Sequence, residues 1–308
     1  MADFAQNQRA AGQALLTLNE GLRFYHEFGT DKIPKKRAYR PWYRNFPAGP
    51  VDFQGKQPPD KLARWEGCEE KLWQRFCMLQ ACAYPANGEP LLIFDEDVAI
   101  RHAGALATED PLSSRRGYRF HQEKLVEGPV QEMLFRVAQQ ASIVAEELNF
   151  AYGVSFGWDL QFGADRARLG TSRICFGGVD KYSEEGFLIH HQGVHLLSVD
   201  DFQKVLDQSP DLFQKVQSGF WTAEEEAVAK TLVELYDRMW RTNHRYACLT
   251  TVEALVFVQL RPVRRHDGPG YATEMLCHVA EPRRDVSVSG HLFYSTVAQM
   301  ASFCLFTL

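Results

Sequence analysis

The stretch FLIHHQGVHLLSVDDF, residues 187–202, decides how this chain is read. FLIHH, 187–191, is a short apolar run and reads as a strand. On a strand His190 and Gln192 share one face and His191 points the opposite way. Asp200 and Asp201 follow after a turn. With His195 the segment holds three histidines, but a zinc site needs three or four converging ligands, and spacing alone does not supply convergence. The bland alternative is one core histidine with the others at a polar rim.

Outward from this run the pattern continues. RICF, 173–176, is another strand, separated from FLIHH by a turn rich in Gly and Asp. In VSFGWDLQF, 154–162, Val154, Phe156, Trp158, Leu160 and Phe162 alternate with polar or small residues, the period of a half-buried strand. Residues 128–149 repeat apolar groups at helical spacing, with Pro129 in the first turn, where a helix tolerates it. After residue 202 a helix is expected over 223–241, opened by a Thr222/Glu225 capping box. YACLTT and ALVFVQL read as a hairpin around Val252-Glu253, MLCHV as a strand, and 292–307 as a closing helix.

The N-terminal part is less regular. Helix is expected over 3–28 and 61–82, strand over 91–100, and loop over 29–60 and 103–120. The order of elements predicts an α/β (α+β) core, a mixed central sheet flanked by helices, over 121–308. Residues 1–120 are read as a helical and loop extension packed on it.

Composition bounds the function. The 308 residues are 45% hydrophobic and 24% charged, with net charge −5, which excludes bulk disorder and a histone-like basic protein. No apolar run approaches the length of a membrane span, and no signal-peptide pattern opens the chain. Seven cysteines without a CxxC pair read as reduced core residues of a cytoplasmic or nuclear protein. Phosphate loops, dinucleotide fingerprints and nucleophile elbows are absent from the sequence.

Three basic stretches stand out against the acidic balance. DKIPKKRAYRPWYRNF, 31–46, interleaves Lys35, Lys36, Arg37, Arg40 and Arg44 with aromatics that include Trp42. SSRRGYRF contributes Arg115 and Arg116, and RPVRRH contributes Arg264 and Arg265. Cations neutralise phosphates and aromatic rings stack on unpaired bases, so this mixture suits RNA. A solvated loop with inward-packed rings is the plainer explanation.

The run from Glu127 to Leu308 resembles the fungal PD-(D/E)xK domains, a restriction-endonuclease-like family often fused to a protein-kinase-like domain. LVEGPV (125–130) is similar to its helix entrance with a Glu, and SRICF to its Asp-bearing strand. FLIHHQGVHLLSVDDF is similar to the strand with the Glu-x-Lys motif, HRYACLTTVEALVFVQL to its hairpin, and VAQMASFCLF to its closing helix. The resemblance implies a restriction-endonuclease-like core, with Asp expected near Ser172, Glu at His190 and Lys at Gln192. Only Glu127 keeps the family's residue. Neutral Ser172 and Gln192 are poor partners for Mg²⁺, so no metal, no other cofactor and no metal-dependent nuclease activity are expected.

What the resemblance leaves is a cavity carrying Glu127, Asp159, His190, His191 and Gln192, groups that can move protons near neutral pH. Aminoacyl transfer from charged tRNA, the reaction type of arginine-containing cyclodipeptide synthases, suits such a cavity. Glu127, Asp159 or the Asp95–Asp97 cluster would then hold a cationic substrate side chain. The alternatives are a non-catalytic module that binds nucleic acid or protein, and a nuclease using His190 with a softer metal. A membrane partner is not expected; the sequence leaves the oligomeric state open.

Overall fold

The computed structural model describes residues 15–32, 53, 55–86, 88–94, 97–109, 120–141, 154–159, 168–177, 183–192, 197–251, 253–264 and 271–307. The main sheet joins β2 (Lys61–Arg64), β4 (Val154–Asp159), β5 (Arg168–Gly177), β6 (Ser183–Gln192), β7 (Tyr246–Thr250), β8 (Leu255–Arg264) and β9 (Tyr271–Ala280) in the order β2-β9-β8-β7-β6-β5-β4. β4, β5 and β6 form an antiparallel meander. β7 runs parallel to β6, and β7, β8 and β9 form a second meander. A two-stranded ladder of β1 (Leu16–Thr17) and β3 (Leu92–Phe94) lies apart from it.

Strand alternation sorts the core into two layers. Phe187, Ile189, Cys248, Phe257 and Leu276 face α1 (Leu18–His26), α2 (Cys68–Ala83), α4 (Gly128–Ala141) and α9 (Thr296–Thr307). Leu188, Ala247, Leu249, Val256, Val258, Met275 and Cys277 face α5 (Val199–Gln208), α6 (Leu212–Ser218) and α7 (Ala223–Arg241). The parallel step from β6 to β7 requires a crossover, and α5–α7 supply it. α9 is buried without a break from Val297 to Leu305, because helices and sheet cover it all round. Phe303 packs there against the rings of Trp65, Phe187, Tyr246 and Phe257. α1 approaches β3 so closely that a Cβ at Gly21 would lie 1.9 Å from the Phe94 ring.

The expected helix over 223–241 is α7, and its capping box is formed. The hairpin, the MLCHV strand and the closing helix also stand where periodicity put them; a 3₁₀ turn, Leu292–Tyr294, precedes the last. Three N-terminal expectations are corrected. Residues 61–64 are an edge strand parallel to β9, and helix begins only at Cys68, after Gly67 with φ of 70°. The strand over 91–100 ends at Phe94, and α3 (Asp97–Glu109) replaces its second half and the start of the expected loop. Because β2 belongs to the main sheet, the segment read as an extension supplies part of the core. Cys68, Cys248, Cys277 and Cys304 are buried free thiols, but Cys77 is exposed, contrary to its apolar neighbours. Among the described residues, no helix is long and apolar enough to cross a membrane.

Candidate functional site

Glu127 ends a helix that widens before it straightens. Residues 120–122 are helical, Glu123–Glu127 form a π turn, and α4 continues from Gly128. Leu125, Val126 and Glu127 are consecutive along this turn and all buried. Gly128 permits the turn, because a Cβ there would lie 2.7 Å from the Glu123 carbonyl oxygen. His191 comes from β6, on the face of Phe187 and Ile189. Its Nε2 lies 3.8 Å from Glu127 Oε1, and both side chains are buried.

Burial pushes the His191 imidazole down to about 3, so it is neutral at pH 7. The Cys304 thiol, which feels the Glu127 charge, is raised by burial far above its ordinary range, and Cys248 is raised for the same reason. Neither thiol is a nucleophile in this state. A neutral imidazole beside a carboxylate can pass on a proton but does not retain one at pH 7, because burial disfavours the imidazolium. Among the described residues, no group of three His, Cys, Asp or Glu side chains could hold a metal ion.

Of the five expected cavity residues, Glu127 and His191 come together here. His190 is buried on the opposite face, with Leu188 and its register partner Leu249, so His190 and His191 do not share a cavity. Strand period makes this unavoidable for adjacent residues. The positions on the Glu127 side of β6 are Ile189 and His191, and Ser172 is the register partner of Ile189. Asp159 ends β4 opposite Thr171, and Gln192 ends β6 opposite Arg168; the side chains of Asp159 and Gln192 lie outside what is described. Comparison with protein-family models, curated proteins and solved structures found no match to this chain.

Lys35, Lys36, Arg37, Arg40, Trp42, Arg44, Arg115, Arg116 and Arg265 lie outside the described residues, as do Asp95, Glu96 and His195. Arg264 is at the exposed end of β8, opposite exposed Tyr271. The sequence reading missed a second π turn, Glu27–Asp31, that continues α1. It brings buried His26 within 3.4 Å of Asp31, five residues on, a spacing that faces across a π turn and not across an α turn. His121 Nε2 donates to the Gly29 carbonyl at 2.8 Å and so ties this turn to the segment leading to Glu127. Burial holds the His121 imidazole down at about 4. Arg283 donates to the Thr30 and Asp31 carbonyls at the turn's open end. A His-x₄-Asp spacing inside a helical stripe was the available signal.

Proposed function

We propose that this protein is a repurposed α/β domain with a restriction-endonuclease-like core that acts on RNA by proton transfer instead of metal chemistry. Aminoacyl transfer from charged tRNA is the reaction class. The observation that carries the reading is the meeting of Glu127 and His191 at 3.8 Å, at the junction of a π turn and a sheet strand. The segments behind the resemblance support it, since LVEGPV, SRICF, FLIHH, the hairpin and the closing helix belong to adjoining elements of one sheet and its covering layer. In this reading neutral His191 accepts a proton from the attacking amine and the Glu127 carboxylate stabilises the imidazolium. The new amide bond forms as the ester bond to the tRNA breaks, and the proton leaves with the tRNA hydroxyl.

The test is release of amino acid or a small peptide product from aminoacylated tRNA by wild type, Glu127→Gln and His191→Gln. Both substitutions should lower the rate about 100-fold, the usual scale of a lost acid–base group. No deacylation by wild type, or equal rates in all three proteins, rejects the reading. The burial of both Glu127 and His191 favours a second one, a non-catalytic RNA-binding module. That protein would bind tRNA, weaken steeply with salt, and turn nothing over.

A further inference from the structure

Three aromatic residues far apart in the sequence meet at one end of the sheet. Trp65 follows β2, Tyr246 opens β7 and Phe306 lies in the last turn of α9. The Trp65 and Tyr246 rings are stacked, with centroids 6.1 Å apart and planes 14° from parallel. Phe306 meets both edge-on, at 5.5 and 5.3 Å. Gln259, the register partner of Tyr246, donates to the Tyr246 hydroxyl at 3.4 Å. The Arg245 guanidinium lies over the Tyr246 ring, 5.4 Å from its centroid, and the Lys71 ammonium lies 5.7 Å from the centroid of Phe306. Trp65 is buried, Tyr246 half-buried and Arg245 exposed.

Two residues beyond Gln259, on the same face of β8, Arg261 bonds the Glu274 carboxylate of β9, and Lys61 of β2 reaches its other oxygen at 3.2 Å. Burial raises the Glu274 carboxyl, but its bonds to Arg261 and Lys61 outweigh that and hold it below the usual range. Two exposed cations, Lys61 and Arg261, thus share the Glu274 carboxylate, and two more, Lys71 and Arg245, lie against the aromatic rings, with Glu69 and Glu70 close to Lys71 in sequence, in a chain whose net charge is −5.

We propose that this end of the sheet binds a single-stranded polynucleotide, with an unpaired base on the Arg245 guanidinium and phosphates on Lys61, Lys71 and Arg261. The inference deepens, and rests on, the RNA reading above. Cations alone would serve any anion. A planar guanidinium held on a tyrosine is what an unpaired base adds to that requirement, because bases stack on such planes.

The experiment is fluorescence anisotropy with a short labelled single-stranded RNA, the same sequence as DNA, and a polyglutamate peptide. Lys71→Glu and Arg245→Glu are the main variants, since both residues are exposed and neither holds Glu274. Wild type should lose affinity with salt at a slope near −2, the value for about three phosphate contacts on a single strand. Each reversal should weaken binding about tenfold and flatten that slope. Arg245→Lys should keep the slope yet bind several-fold more weakly, because an ammonium does not stack. Tighter binding of RNA than DNA assigns the strand to RNA, and equal binding assigns it to either. Reversals that bind RNA like wild type, an Arg245→Lys variant equal to wild type, or polyglutamate competing as well as RNA would overturn the proposal. Glu127→Gln separates the two readings, since it should lower turnover about 100-fold and leave this binding intact.

Discussion

The layer of α5–α7 and the layer opposite it cover the same sheet by different means. In the first, helices are regular to their ends and the buried Glu225 is served by Ser209, Lys215 and the Thr222 amide. Burial alone would raise the Glu225 carboxyl, but these bonds outweigh it and hold it low. In the second, one π turn extends α1 and another interrupts the helix that runs into α4, and His121, His191 and Glu127 are buried among apolar side chains. Widened turns cost stability, so the layer that retains them is where function is to be sought.

Acid should separate the layers most strongly. His121 and His191 have folded values of about 4 and about 3, against about 6.5 for an unfolded histidine. The unfolded chain therefore binds more protons between those values. Stability is complete above pH 6.5 and is lost as pH falls toward 4 and then 3. Each histidine contributes about 1.4 kcal/mol per pH unit, roughly 3 for the two together. Urea midpoints measured between about pH 7 and pH 5 should show at least that slope, since burial also holds His26 and His278 down, and His191→Gln should make it shallower. A midpoint unchanged over this range would mean that the two imidazoles are not buried neutral.

Gly128→Ala should be the next largest effect. The added Cβ meets the Glu123 carbonyl, so the π turn must shift. A loss of about 1–3 kcal/mol is expected, the scale of an overpacked site. His191 should respond as well, which the chemical shift of its imidazole would report. Stability and shift equal to wild type would show that the turn can close as an ordinary α-helix.

What was legible in the sequence follows the same division. α7 announced itself through Thr222, Glu225 and the Val228, Leu232, Tyr236, Met239 stripe, and β6 through FLIHH, because these signals are local and periodic. β2 was hidden because Leu62 and Trp65 continue the helical stripe of Leu72 and Phe76 by coincidence, although the break at Gly67 was there to see. Its pairing with β9 joins residues more than two hundred positions apart, which no window of sequence contains. Of the candidate site, Glu127 and His191 were both named, but a π turn has neither of the periods searched. The strand alternation of FLIHH by itself puts His190 and His191 on opposite faces, so a cavity holding both conflicts with the strand. The stack of Trp65, Tyr246 and Arg245 had no local signature.

Thr222→Ala gives the smallest effect and the cleanest control. The Thr222 hydroxyl accepts from the Glu225 amide at 3.3 Å, while the Glu225 carboxylate accepts from the Thr222 amide at 2.7 Å. Removing the hydroxyl leaves one helix-end amide unserved, a loss of about 1 kcal/mol. The Glu225 contacts to Ser209 and Lys215 do not pass through that hydroxyl, so the carboxylate keeps its other partners. The substitution should lower the urea midpoint at every pH by the same amount, because no group it touches titrates between pH 5 and 7. RNA affinity and turnover should not change, since α7 packs on the face away from Glu127 and His191. A Thr222→Ala protein that lost turnover or changed the acid slope would show that the two layers are coupled through the sheet, and the division drawn between them would have to be abandoned.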